Sequence, residues 1–220
     1  MSDYYSSMME SFPHGLEPPE PIQWFFKWQA VVGLAERSGL NGSWLASVDP
    51  SRTGSPIYTS PVDAGFSQSW LGIEDPAATQ RLAIFCTTGG DGSRAGLWLD
   101  ELGQIQFVHL GSGSGSTMFG VLTSDPVDFL RLLAIGYDEL CWPEQYDQTP
   151  DEVFAEYQQE DEGFVRPERP KAIQGWVEHT FGLAVPSKAS EIIAKLPTMD
   201  DAISNDPFWI WDRSFPKWQG

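Results

Sequence analysis

Three apolar runs follow one another closely between residues 81 and 110, and their spacing restricts the fold more than any other feature of the chain. RLAIFC and AGLWLD are separated by TTGGDGSR, and AGLWLD and QIQFVHL by the short turn Asp100–Gly103. Parallel neighbouring strands need a crossover of a dozen residues or more, whereas antiparallel strands need only a turn. Gly and Asp, which favour turns, occur in both connections. The three runs therefore predict an antiparallel β-meander.

Short apolar runs punctuated by Gly, Pro, Asp and Ser extend on both sides of this meander, from Asn41 to Leu122. This pattern is typical of strands and turns. We expect strands at Trp44–Val48, Ile57–Thr59, Ser69–Ile73, Leu82–Cys86, Gly96–Leu99, Ile105–Leu110 and Met118–Leu122.

Helical patterns flank the predicted sheet. Ile22 to Ser38 carries apolar residues on most faces, with Pro21 suited to a first turn and Gly39 to a left-handed C-terminal cap. A second helix is expected behind Ser124 or Asp125 as N-cap, through VDFLRLLAIGYDEL. The first pattern predicts a well-buried helix, and the second is apolar nearly all round.

Further helices are expected towards the C-terminus. At TPDE, Thr149 and Glu152 have the spacing of a capping box, which predicts a helix that ends near Gly163. AIQGWVEHTFG and SKASEIIAKL have amphipathic periodicity. The tail NDPFWIWDRSFPKWQG contains three tryptophans, and we expect it to fold back over the core because so many exposed aromatics would favour aggregation.

These elements predict a single domain over residues 1–220 of the α+β class. It comprises a lead-in and helix at 1–40, an antiparallel or mixed β-meander at 41–122, and helices with the aromatic tail at 123–220.

The net charge of the chain limits the kinds of partner that it can bind. The chain has 13 Lys+Arg and 31 Asp+Glu, a formal net charge of −18, which repels nucleic acid and anionic membrane surfaces. The N-terminus has no basic and apolar regions of a signal peptide, and no apolar run approaches 18 residues. We therefore expect a cytoplasmic protein that binds neither nucleic acid nor membrane. Cys86 and Cys141 lack disulfide or zinc spacing and are expected to be buried free thiols.

The glycine-rich stretch HLGSGSGST has the composition of a phosphate-binding loop. A P-loop would require lysine where Ser116 stands and glycine where Leu110 stands. A dinucleotide fingerprint beginning at Gly111 would have Ser116 in its last glycine position, and the strand-like MFGVL follows where a helix is needed. We therefore expect a flexible connection between two strands and no nucleotide cofactor.

No other motif predicts catalysis or metal binding. Asp91, in TTGGDGS, lacks the further ligands of a calcium loop, and His14, His109 and His179 lack the spacing of metal ligands. Carboxylates are so numerous that the sequence alone identifies none of them as a general acid or base. The chain is expected not to be an enzyme and to have no cofactor or metal.

The charge map is uneven. Between Leu132 and Val165 there is no lysine or arginine but ten carboxylates, interleaved with aromatic residues (Tyr137, Trp142, Tyr146, Phe154 and Tyr157). Acidic groups around aromatic anchors favour a surface that binds a basic protein, although a solvated helix face would also explain a charge run. The predicted partner-binding residues are Asp138, Glu139, Trp142, Glu144, Asp147, Asp151, Glu152, Glu156, Tyr157, Glu160, Asp161 and Glu162.

The block LAIFCTTGGDGSRAGLWLDELGQIQFVHLGSGSGSTMFGVLTSDPVDFLRLLAIGYDEL resembles the central part of the SUKH superfamily in the order of its strands, Gly/Asp-rich turn and helix. Trp176 to Pro186 resembles a segment of its longer bacterial members, so the resemblance covers about residues 80 to 190. The superfamily includes yeast cell-wall-assembly regulators and immunity proteins of bacterial polymorphic toxin systems. The resemblance implies a SUKH-like fold and a binding protein without catalytic residues.

Resemblance and charge together predict an immunity protein that neutralises a cognate bacterial toxin by occupying it. The toxin is expected to be cationic and could be a nuclease. The alternative is a regulatory scaffold or adaptor that binds an endogenous partner without catalysis. An acidic enzyme with a carboxylate site is a third hypothesis, which no catalytic motif supports.

Overall fold

A seven-stranded antiparallel sheet forms the centre of the molecule in the computed structural model, which describes residues 3–39, 42–51, 55–73, 75–193, 199 and 205–217. Each strand pairs with the next along the chain, from β1 to β7. This confirms the α+β class and the meander, with every pairing antiparallel. The strands are β1 (Ala35–Arg37), β2 (Trp44–Ser47), β3 (Tyr58–Thr59), β4 (Leu82–Thr87), β5 (Arg94–Leu99), β6 (Ile105–Leu110) and β7 (Phe119–Thr123).

Helices surround the sheet. Those described are α1 (Asp3–Ser11), α2 (Glu20–Val31), α3 (Ala64–Leu71), α4 (Pro76–Gln80), α5 (Pro126–Ile135), α6 (Pro150–Glu160), α7 (Lys171–Phe181) and α8 (Pro207–Arg213), with 3-10 helices at Pro143–Asp147 and Ala189–Glu191. None of the helices in the described part of the chain is long and apolar enough to cross a membrane.

The two faces of the sheet bury separate clusters. On one face, α1, α2, α5 and α7 pack over the strands, and the rings of Phe85, Phe107 and Phe129 meet there, Phe107 and Phe129 at 4.6 Å between centroids. On the other face, Phe208 and Trp211 of α8 cover Trp98 of β5. The aromatic tail, over its described residues 205–217, therefore folds back over the sheet as predicted.

The central strands approach one another closely at Gly96. A Cβ on this residue would lie 2.6 Å from the carbonyl oxygen of Ala83 on β4. Any side chain would push the two strands apart, so glycine is required in the middle of β5.

Two expectations for the N-terminal half are wrong. The helix expected from Ile22 to Ser38 ends at Val31, because Gly33 takes a left-handed conformation (φ 77°) and the chain turns into β1. The strand expected at Ser69–Ile73 is the end of α3, which is capped by Asp63 at its start and by left-handed Gly72 at its end. Capping at both ends outweighs the short apolar run.

Three further features differ from expectation. Helix α1, which buries Tyr4 and Met8, is not among the predicted elements. The helix expected through Leu140 ends at Ile135, because Gly136 is left-handed (φ 101°). In SKASEIIAKL only the 3-10 helix Ala189–Glu191 forms within the described residues, and positions 194–196 lie outside them.

Candidate partner-binding surface

The acidic segment folds as the 3-10 helix Pro143–Asp147 followed by α6. The hydroxyl of Thr149 accepts a hydrogen bond from the backbone of Glu152, whose carboxylate in turn accepts one from the backbone of Thr149. This confirms the predicted capping box. The backbone N–H and the hydroxyl of Thr149 both donate to the carboxylate of Glu152 and lower its pKa.

One side of α6 faces solvent with a row of carboxylates. Glu152, Glu156 and Glu160 are exposed and stand four residues apart, which places them on one stripe of the helix. Val153 and Phe154, on another side, are buried. We call the exposed carboxylates of this segment the acidic surface: Glu144, Asp147, Glu152, Glu156, Glu160, Asp161 and Glu162.

The other five predicted residues (Asp138, Glu139, Trp142, Asp151 and Tyr157) are half-buried. Asp151 forms ion pairs with Arg166 and Arg169 of the loop after α6. The sequence window without lysine or arginine is thus partly compensated, since the chain folds back just beyond it. The acidic surface therefore contains seven of the ten predicted carboxylates, because Asp138, Glu139 and Asp151 are half-buried.

Glu139 joins the acidic segment to the glycine-rich turn between β4 and β5. Its carboxylate accepts a hydrogen bond from the backbone N–H of Gly90 at 2.5 Å and another from the indole Nε1 of Trp142 at 2.8 Å. These bonds fix the side chain of Trp142 at the start of the segment. Glu139 therefore acts as a tether within the chain.

The prediction of aromatic anchors is wrong for three of the five residues, because their side chains are buried. Tyr137, Tyr146 and Phe154 are at most 3% exposed and belong to the interior. The Tyr137 hydroxyl donates to the carbonyl of Gln148 at 2.7 Å, and burial raises the pKa of Tyr137 to about 12. Beyond left-handed Gly136, which ends α5, the rings of Tyr137 and Tyr146 stack at 6.0 Å between centroids, and Phe154 packs against Phe164.

Tyr157, like Trp142, remains partly accessible. Its hydroxyl accepts a hydrogen bond from the amide of Gln145 at 2.6 Å. Burial raises the pKa of Tyr157, the bond from Gln145 lowers it, and the negative charges of Glu139 and Asp138 raise it further. The acidic segment thus presents two ordered, half-buried aromatic side chains among its carboxylates.

Asp91 holds the two glycine-rich loops together next to this segment. One oxygen of its carboxylate accepts hydrogen bonds from the hydroxyls of Ser93 and Ser112, each at 2.8 Å, and from the backbone N–H of Ser116 at 2.7 Å. Desolvation raises the pKa of Asp91, but these hydrogen bonds outweigh it and lower the pKa to about 2. HLGSGSGST is a strand connection, as predicted, but it is bound to Asp91 and is not a free flexible loop.

No sequence pattern had identified Asp91 as the residue that organises both loops. A cue was present, because Asp followed by Gly and Ser is typical of turns in which the side chain accepts from its own backbone. Its reach to Ser112 and Ser116, more than twenty residues away, depends on the pairing of β5 with β6.

The buried thiols have the properties of structural cysteines. Cys86 and Cys141 are free and buried, as predicted. Burial raises the pKa of Cys86 to about 12 and that of Cys141 further still, so both stay protonated at neutral pH and are poor nucleophiles. Within the described residues, no group of three or more His, Cys, Asp or Glu side chains is arranged to hold a metal ion.

Comparison of the chain with protein-family models, with curated proteins and with solved structures found no match. The chemistry of the acidic surface itself limits what it can bind. Exposed carboxylates accept charge-assisted hydrogen bonds from lysine and arginine and repel phosphates.

Proposed function

We propose that this chain is a SUKH-type immunity protein, which acts without catalysis in the cytoplasm. It occupies a cognate cationic toxin through the acidic surface. The single observation that carries the proposal is the concentration of seven exposed carboxylates on the 3-10 helix, α6 and the two residues beyond it. The resemblance of residues 80 to 190 to the SUKH superfamily supports the assignment to toxin immunity.

The arrangement of the acidic surface suits fast and tight association. Its carboxylates are part of a net charge of −18, which attracts a basic partner and raises the association rate. Trp142 and Tyr157 are held by Glu139 and Gln145, so little side-chain entropy is lost when a partner covers them. The capping box and the ion pairs of Asp151 hold the backbone that carries the charges.

Charge reversal tests the surface. The variant Glu156→Lys, Glu160→Lys, Asp161→Lys adds six positive charge units on the acidic surface. A matched control, Glu10→Lys, Glu17→Lys, Glu20→Lys, makes the same change at exposed positions of the N-terminal region. We expect a basic toxin domain to be retained by the immobilised wild-type chain and by the control, and to be lost from the first variant.

Association kinetics then test the mechanism. By stopped flow at low salt, the association rate of the variant with Glu156, Glu160 and Asp161 changed to lysine should fall on the order of tenfold or more, and its dependence on salt should become weaker. The control should keep most of the wild-type rate. Unchanged kinetics in this triple-lysine variant at low salt would show that the acidic surface is not part of the interface.

Toxin immunity and the regulatory adaptor are distinguished by the biology of the partner. A toxin gene beside the gene for this chain, and survival of cells that express both, would support immunity. Retention of an endogenous, non-toxic protein with no protection would support the adaptor.

A further inference from the structure

A groove of about 650 Å³ opens beside β3, and no residue of the acidic surface is among the described residues that line it. Strand β3 has only two residues and pairs with β2 on one side and with β4 on the other. Ala46 and Thr59 point into the core under α1 and α2, hence their neighbours Leu45 and Tyr58 face the opposite side of the sheet and line the groove. Helix α8 packs over β7 and Trp98 on that side and leaves the region of β3 open.

Arg94, on β5, contributes a cationic side chain to this groove. It is half-buried, its Nη1 donates to the hydroxyl of Thr87, and its guanidinium carbon lies 5.4 Å from the ring centre of Phe66 and 5.7 Å from that of Trp70. Aromatic faces hold the guanidinium in place but do not neutralise it.

The charge of Arg94 has no counter-ion within the described part of the chain. No Asp or Glu among those residues forms an ion pair with it, and its Nε is buried without a hydrogen-bond partner there. A partly desolvated guanidinium with unused donors is costly unless an anion completes it.

Other groups of the groove fit an anion with an apolar body. Tyr58 and Ser60 contribute hydroxyls to the lining, and Phe66 presents a ring that is 37% exposed. Asp63 contributes a carboxylate to the lining, and one of its oxygens accepts from the backbone N–H groups of Gly65 and Phe66 at the start of α3. The acid is thus engaged by the helix it caps, and the guanidinium remains available.

We propose that this groove binds a small organic anion, a carboxylate or phosphate ester carried on a flat apolar body. The anionic oxygens pair with Arg94 and accept from the hydroxyls of Tyr58 or Ser60, while the body lies against Phe66 and Leu45. A guanidinium is suited to both anions because its parallel N–H groups match two oxygens at once. The volume of the groove is that of a site for a small molecule.

Titration of the full-length chain with defined probes tests the site. Benzoate, phenyl phosphate, benzamide and inorganic phosphate are added to ¹⁵N-labelled protein, and the Nε–H resonance of Arg94 is followed by NMR. We expect benzoate or phenyl phosphate to shift this resonance and to bind about tenfold or more tightly than neutral benzamide. The tighter of the two anions identifies carboxylate or phosphate as the preferred group, and inorganic phosphate should bind more weakly than phenyl phosphate because it lacks the body.

Equal affinity for benzoate, phenyl phosphate and benzamide, or no shift of the Arg94 resonance at millimolar probe, would overturn the proposal. Tighter binding of inorganic phosphate than of phenyl phosphate would overturn the part assigned to the apolar body. These measurements need only the wild-type chain.

Variants locate the binding. Arg94→Gln should weaken binding of the preferred anion about tenfold or more. The affinity of Arg94→Lys should lie between those of the wild type and Arg94→Gln, because lysine keeps the charge without the parallel N–H groups of the guanidinium. Arg213→Gln, a change of the same kind on the exposed arginine of α8, should have no effect. If Arg94→Gln does not fold, the double variant Tyr58→Phe, Ser60→Ala replaces it, and this variant should lose more affinity for the anion than for benzamide.

Unchanged affinity for the anion in folded Arg94→Gln would contradict the site. If that variant does not fold, unchanged affinity in the double variant would contradict it.

The site is independent of the proposed function. The variant Glu156→Lys, Glu160→Lys, Asp161→Lys should keep the wild-type affinity for the anionic probe. Unchanged toxin binding in that variant would contradict the proposed function and leave the groove proposal intact, and failure of the probes would leave the acidic surface intact.

Discussion

His109 is a fully enclosed titratable residue at the junction of the two glycine-rich loops. Its Nδ1 lies 2.9 Å from the carbonyl oxygen of Met118 and its Nε2 lies 2.9 Å from the hydroxyl of Thr88. A carbonyl only accepts, so Nδ1 carries the proton and Nε2 accepts from Thr88. Burial lowers the pKa of His109 to about 4, although the bond to Met118 and the charge of Asp91 oppose this. The ring is neutral at physiological pH.

The neutral His109 makes stability depend on pH. Because its pKa is about 4 in the folded chain and returns to the ordinary histidine value of 6.5 on unfolding, the unfolded chain binds the extra proton as pH falls between those values. The contribution of His109 is therefore complete above pH 6.5 and is lost on the way to pH 4. As the pH falls from 7.5 to 4.5, we expect protonation of His109 in the unfolded chain to lower the unfolding free energy by about 2 to 3 kcal/mol.

Urea unfolding at several pH values measures this effect. His109→Gln should show a smaller loss of stability across the window than the wild type, whereas His179→Gln, at an exposed position, should keep the wild-type slope. The comparison between variants separates His109 from the carboxylates that titrate in the same range. Parallel curves for His109→Gln and the wild type would contradict the assignment.

At the scale of elements, short polar caps decide where helices begin and how they attach to the sheet. Asp206 is the clearest case, since one carboxylate oxygen accepts from the backbone of Phe208 and Trp209 at the start of α8. The other accepts from the backbone N–H of Val121 on the edge strand β7 at 2.9 Å. One residue thus caps the helix and satisfies a free edge of the sheet.

Removal of this carboxylate should have two effects. Asp206→Ala should cost about 2 to 4 kcal/mol of unfolding free energy, because the cap is lost and the Val121 N–H loses its acceptor. Hydrogen exchange of the Val121 amide should become faster. Asp63→Ala, which removes the cap of α3, should cost about 1 kcal/mol and leave exchange at Val121 unchanged. Unchanged protection of Val121 in Asp206→Ala would contradict the dual role.

At the scale of the whole molecule, the meander has a core on both faces, and α8 supplies the cover of one of them. Phe208 is stacked on Phe119 at 4.7 Å and lies 5.3 Å from Trp98, and it is fully buried. The opposite face is covered by four helices from distant parts of the chain. A sheet buried on both faces cannot lose either cover without exposing a row of apolar side chains.

The importance of the tail can be measured with a matched pair in α8. Phe208→Ala should cost about 3 to 5 kcal/mol, since it leaves a cavity beside Trp98. Ile210→Ala changes a side chain that is 54% exposed and should alter stability by no more than about 0.5 kcal/mol. Denaturant unfolding followed by tryptophan fluorescence gives both values. Equal effects would show that α8 is not part of the folded core.

Local sequence determined the elements whose turn or capping signals lie within a few neighbouring residues. The meander was predictable because turns as short as Asp100–Gly103 allow only antiparallel pairing, and α6 because Thr149, Pro150 and Glu152 form a complete start signal. The acidic segment could be located, because charge density is a property of the sequence itself.

Tertiary structure decided which residues of that segment face solvent. Packing buried three of the proposed aromatic anchors, Tyr137, Tyr146 and Phe154, and the return of the chain placed Arg166 and Arg169 on Asp151. The Asp91 junction and the Arg94 groove each combine residues that sheet pairing brings together from distant positions. Such contacts depend on long-range packing, for which no local pattern of residues is sufficient.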